Sequence, residues 1–139
     1  MKITISLFLL FCLFTAKEVL GQEVDITGDW TMFEMTWTSG DQVNTTTEDQ
    51  LKAEGMFSDY FFMPEGKLKL VSNMTGSEKV ETIDGTWKLE GDNLTTGFIM
   101  EGNPMDIVWG FEFKDDIIYL KRTAPDGSAS VVNSFKRKL

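Results

Sequence analysis

Histidine is missing from this chain of 139 residues, and cysteine occurs once, at Cys12. Without imidazole there is no Ser-His-Asp or Cys-His catalysis, no proximal-His haem and no zinc site that draws on histidine. Cys12 lies within an apolar N-terminal run, so the rest of the chain has no disulfide and no thiol nucleophile. Basic residues are also few. Lys and Arg number 13 against 22 Asp and Glu, for a net charge of −9. A domain this acidic repels phosphate backbones and anionic lipid surfaces, which argues against nucleic acid as a partner. The one basic cluster, Lys136-Arg137-Lys138, reads as a solvated end.

Long apolar runs are absent too. Residues 3–14 form the longest, about a dozen against the roughly 18 needed to cross a membrane. Lys2 before this run and Val19-Leu20-Gly21 after it give the pattern of a secretory signal, with cleavage expected before Gln22. The bulky Phe11 before Cys12 argues against lipid attachment. Residues 1–21 are thus read as a signal peptide and residues 22–139 as one domain. The domain is expected in the periplasm or outside the cell, without stable membrane insertion. An exported domain that lacks disulfides is held by its own core or by closure of its sheet.

Strict alternation dominates what remains. Gly28-Asp29-Trp30 opens the first strand, and Gly85-Thr86-Trp87 repeats the pattern in mid-chain. Glycine weakens a strand, so its place beside the largest side chain points to close backbone approach at a barrel corner. Strands are predicted over residues 57–63, 67–74, 80–89, 105–113, 117–123 and 129–136. Another alternates through Leu94, Thr96, Phe98 and Met100. Turns fall at Pro64-Glu65-Gly66, Gly76-Ser77, Glu90-Gly91-Asp92-Asn93, Glu101-Gly102-Asn103-Pro104, Lys114-Asp115-Asp116 and Ala124-Pro125-Asp126-Gly127. About eight strands at roughly 8–12-residue spacing, linked by tight hairpins, predict an all-β fold. The architecture expected is an antiparallel up-and-down β-barrel, a size that is either filled by side chains or holds one small ligand.

Two segments leave choices open. The first strand is apolar on both parities, with Trp30 and Met32 on one and Phe33, Met35 and Trp37 on the other. If the Trp30 face points inward, Glu34 is a polar group inside the barrel; if the Phe33, Met35 and Trp37 face does, the reading preferred, Glu34 is exposed. Residues 40–55 are polar and read as a long loop, with a short helix over residues 47–53 capped by Thr47. Such a loop is a natural lid.

The chain resembles the lipocalin-like domains of secreted bacterial proteins, calycin-type barrels. The matching residues are Ile26-Thr27-Gly28-Asp29-Trp30, Phe61-Phe62-Met63-Pro64-Glu65-Gly66-Lys67-Leu68, Gly85-Thr86-Trp87-Lys88-Leu89-Glu90-Gly91-Asp92-Asn93-Leu94 and Ile117-Ile118-Tyr119-Leu120-Lys121-Arg122. In lipocalins the first-strand Trp packs beneath a basic residue from a late strand. The resemblance therefore implies that Arg122 covers Trp30, with Gly28, Trp30 and Arg122 closing one end. The chain departs from the family in lacking cysteines beyond residue 21 and in its long 40–55 segment.

Trp109, Phe111 and Phe113, with Phe98, Met100, Trp87 and Leu120, either line an apolar pocket or fill the barrel. Phe98, Met100, Trp109, Phe111 and Leu120 are the candidate ligand contacts. The methionines read as core filler. Most carboxylates fall in turns, so no catalytic residue, metal ligand or cofactor is assigned. Asn44-Thr45-Thr46, Asn73-Met74-Thr75 and Asn93-Leu94-Thr95 match the glycosylation pattern and are consistent with secretion. The leading expectation is binding of a small hydrophobic molecule at the barrel end away from Trp30, under residues 40–55. A solid barrel whose loops contact an envelope or protein partner is the alternative, and a carboxylate enzyme a third.

Overall fold

The alternating segments become strands in a computed structural model that describes residues 24–74 and 79–139. They are β1 (Gly28–Ser39), β2 (Gln42–Thr46), β3 (Ser58–Met63), β4 (Lys67–Ser72), β5 (Glu81–Glu90), β6 (Asn93–Met100), β7 (Asn103–Lys114), β8 (Ile117–Thr123) and β9 (Ala129–Arg137). The expected leader with its cleavage site, and the expected Gly76-Ser77 turn, lie outside the described residues.

From β3 to β9 each strand pairs with the next in antiparallel register, and β1 pairs with β2, β3 and β9. The result is the expected closed up-and-down barrel of eight strands, β1 and β3 to β9. β2 is an additional strand laid on β1. One edge of β1 therefore serves two partners. Residues 28–31 pair with β3, and residues 35–39 pair with β2, while β9 occupies the other edge.

The two apolar parities of β1 are both used. Between Met32, opposite Phe135, and Glu34, opposite Ser134, the register shifts by a β-bulge. Trp30 and Met32 are buried before the bulge; after it Met35 and Trp37 lie opposite Asn133 and Val131 on the inner face. A bulge places two residues against one and so reverses which parity points inward. Glu34 thereby escapes the interior and pairs with outward Ser134.

Residues 40–55 are more ordered than a loop. They form β2 and then α1 (Glu48–Ala53), with Thr47 as its N-cap. Thr47 Oγ1 accepts from the Gln50 amide at 3.4 Å, and Gln50 Oε1 accepts from the Thr47 amide at 2.9 Å. This reciprocal capping satisfies two otherwise orphaned donors. Leu51 anchors the helix in the hydrophobic core. The strand β2 escaped the sequence pattern because all its residues are polar except Val43, which is exposed. Its pairing comes from the edge that the short β3 leaves open on β1.

Candidate functional site

Both Gly-x-Trp segments lie toward the same end of the barrel. Trp30 is fully buried there, and its indole Nε1 donates to the Ile26 carbonyl at 2.9 Å. The Arg137 guanidinium lies 4.4 Å from the Trp30 ring centroid, and Phe113 meets the indole edge-on at 6.3 Å. Arg137 also donates to the Thr27 carbonyl at 3.2 Å. Gly28 makes room for this arrangement. Its φ is +129°, and a Cβ there would stand 2.9 Å from Arg137 Nη1.

The cation over Trp30 is thus Arg137 of β9, not Arg122 of β8. The register gives the reason. Ile118 lies opposite Phe135, so β8 climbs away from the Trp30 end and Arg122 reaches the far mouth, opposite Val131, where it is exposed. The basic cluster is correspondingly no solvated end. Lys136 pairs with Glu48 at 2.8 Å, and Lys138 pairs with the buried Asp59 at 2.6 Å. Each of the three cations stands over a ring, Phe33, Trp30 and Phe61 in turn. The sequence signal for these roles was alternation. Lys136 and Lys138 lie on the outer face and Arg137 between them, at the base.

The second segment sits beside the first and is built differently. Gly85 allows β5 and β6 to close up, because a Cβ there would collide with the Gly97 carbonyl and stand 2.7 Å from the Phe98 ring. Trp87 donates from Nε1 to the Met63 carbonyl at 2.9 Å and meets Phe62 edge-on at 5.7 Å. Trp87 stays partly exposed, for next to it opens a concavity of about 1050 Å³.

Trp87, Leu89, Phe111 and Phe113 form the apolar wall of this concavity. Val24 and Asp25 from the N-terminal segment and Glu90, Gly91 and Asp92 from the β5–β6 hairpin rim it, with Glu112. The hairpin is held in place by the Phe111 amide, which donates to the Asp92 carbonyl at 2.7 Å. Gly91 takes the sharp corner at φ +58°. The Asp25 carboxyl is held below its ordinary value by hydrogen bonds from the Thr27 hydroxyl and amide. A shallower groove of about 460 Å³ adjoins on the outer face, where Gly110, Tyr119, Lys121 and Val132 meet.

Of the expected ligand contacts, Phe111 lines the larger concavity. Phe98, Trp109 and Leu120 are buried in the middle of the barrel, where Trp109 Nε1 donates to the buried Thr96 hydroxyl at 3.1 Å. Met100 is 38% exposed at the opposite mouth, so the five residues are not brought together. Trp87, Leu89 and Phe113 join Phe111 instead. The sequence places all four on inward parities, but parity does not say which end of the barrel stays unfilled. Neither of these two concavities lies at the mouth farthest from Trp30, and residues 40–55 border neither. Inside the barrel, Asn133 faces Leu120 and Met35, and its Oδ1 is buried without a partner among the described residues.

Among the described residues, no three His, Cys, Asp or Glu side chains gather where they could hold a metal ion, and no helix is long and apolar enough to cross a membrane. No family profile matches the chain, and no curated protein matches it. Among solved structures, the chain is similar to two single-site variants of the fluorescent protein UnaG. The first is 11% identical, with 82% of this chain and 96% of that chain covered and a TM-score of 0.44. The second is 12% identical, with 81% and 95% covered and a TM-score of 0.43. Likeness at this level carries nothing about ligand or activity, and the lipocalin-like resemblance rests on the short motifs alone.

Proposed function

We propose that the protein is an exported, non-catalytic barrel that binds a small apolar molecule, seated against Trp87, Leu89, Phe111 and Phe113. The observation that carries this reading is the concavity itself. Its volume, about 1050 Å³, is of the size that encloses a small organic ligand. Its wall is apolar and mostly aromatic, and the polar groups stand at the rim. Leaving Trp87, Phe113 and Leu89 partly in water is costly, and a ligand that covers them recovers roughly 25 cal/mol for each Å² of apolar surface removed from water.

Trp87 supplies the readout. Titration of the purified domain with an uncharged apolar probe should shift tryptophan emission, and Trp87→Ala should abolish both the shift and the binding. Native mass spectrometry of freshly isolated protein should show a released small molecule. A chain that carries no such molecule and binds no apolar probe is not a carrier. The packed layer of Phe98, Trp109, Thr96 and Leu120 favours a second reading in that case, a solid barrel whose loops contact a protein partner. Export is tested by sequencing the N-terminus of the protein recovered outside the cytoplasm, with Gln22 expected first.

A further inference from the structure

We infer that the site selects organic cations, molecules with an apolar body and an ammonium or amine head, over neutral and anionic molecules of the same shape. The inference rests on the reading of the concavity as the binding site. Its wall offers the aromatic side chains of Trp87, Phe111 and Phe113, and its rim offers four carboxylates, Asp25, Glu90, Asp92 and Glu112. No lysine or arginine lines it. Aromatic faces carry negative quadrupole charge and attract a cation, most strongly where water is excluded. Carboxylates around a low-dielectric wall focus the same field, and they penalise a ligand carboxylate by like-charge repulsion.

The four carboxylates are not equivalent. Glu90 is paired with Lys88, and Asp25 is occupied by Thr27 and lies in the field of Arg137. Asp92, in the β5–β6 turn against the Phe111 amide, and Glu112, next to Phe111 on β7, have no ion-pair partner among the described residues. Lys121 borders the adjoining groove with both but pairs with neither, which leaves these two carboxylates to meet a ligand head. With the protein's net charge of −9, the local field and the overall field have the same sign, so cations are also drawn toward the rim before contact.

Three probes of one chain length separate the terms: dodecyltrimethylammonium, dodecanol and dodecanoate, each kept below micelle-forming concentration and followed by tryptophan emission on the full mature chain. The ammonium is expected to bind at least about tenfold more tightly than the alcohol, and dodecanoate at least about tenfold more weakly, both gaps narrowing as salt is raised. The double variant Asp92→Asn, Glu112→Gln should close the gap between ammonium and alcohol while dodecanol affinity holds. The variant Asp41→Asn, Glu101→Gln removes the same charge at exposed positions outside the rim and should leave the gap intact. A preference that survives the first double variant, or falls equally in both, belongs to overall charge and overturns the inference. Equal binding of ammonium and alcohol overturns it as well, while the apolar site stands. Failure of all three probes to bind overturns the site itself.

Discussion

Trp30 and Trp87 each follow a glycine by two positions, each donates its indole N–H to a main-chain carbonyl, and each meets a phenylalanine edge-on. Their surroundings then diverge. Trp30 is sealed: its indole is tied to the Ile26 carbonyl and Arg137 stands over its ring. Trp87 has no such cover, and its open side becomes the wall of a concavity. The same three-residue pattern thus builds a plug where a chain segment and a cation close over it, and the wall of an open concavity where they do not. Neither the glycine nor the tryptophan decides between these outcomes. What decides is whether a third element arrives from elsewhere in the chain.

Truncating the two indoles should separate these roles most strongly. Trp30→Ala removes a fully buried ring and should lower stability by about 3–5 kcal/mol, measured by urea unfolding. Trp87→Ala removes a ring that is partly in water, so its stability cost should be clearly smaller while probe binding is lost. Equal costs would mean that the concavity is closed in solution. Gly85 comes next. Gly85→Ala sets a methyl against the Gly97 carbonyl and the Phe98 ring, where neither backbone nor packed ring yields easily, and should cost about 1–3 kcal/mol. An unchanged unfolding midpoint would show that β5 and β6 can part there freely.

Arginine gives a finer contrast. Arg137→Ala should cost about 0.5–2 kcal/mol through the lost stacking on Trp30, and the loss should largely vanish in a Trp30→Phe background if the indole face is the partner. Arg122→Ala should stay near zero. A reversed order would return Arg122 to the role that the family resemblance implies. The smallest effect concerns the neighbouring Lys136, on the outer face of the plugged side. Its hydrogen bonds, with those of Lys52, hold the Glu48 carboxyl down to about 2 from the ordinary 4.5. A carboxyl depressed in the folded state stabilises it above pH 4.5 and loses that contribution as pH falls toward 2. Glu48→Gln should therefore flatten the decline of the thermal midpoint between pH 5 and pH 2. Parallel declines in the two proteins would show that the pair is inert.

Much of the barrel was legible in the sequence, because a half-buried strand prints its two-residue period directly. Met105 to Phe113 on β7 and Leu94 to Phe98 on β6 are read from alternation alone, and Gly91 marks its hairpin by the conformation it must take. β1 was ambiguous for a physical reason. Its bulge splices two opposite parities into one strand, so a single-parity reading fails at Phe33. β2 was illegible because a strand exposed on both faces has no apolar period to read. The site was harder. Trp87, Leu89, Phe111 and Phe113 were all on inward parities, yet the emptiness beside them depends on how far the β5–β6 hairpin and the N-terminal segment reach. That is a property of the assembled barrel. Arg137 was missed for a related reason: closure by β9 brings it over Trp30, and no local pattern encodes that meeting.

The seam between β1 and β9 has a consequence for the order of events in folding. Arg137 and the Thr27 carbonyl that it holds stand 110 positions apart, so the loop they close is nearly the whole domain. Hairpins such as β5–β6 and β7–β8 can form while the rest of the chain is still unstructured, but the cylinder has no wall until its last strand arrives. Contacts so distant in sequence make for slow closure. A nascent chain lacking β9 keeps Trp30 uncovered and the edge of β1 unpaired. The final nine residues of the sheet thus act as the latch that ends the open state of the chain.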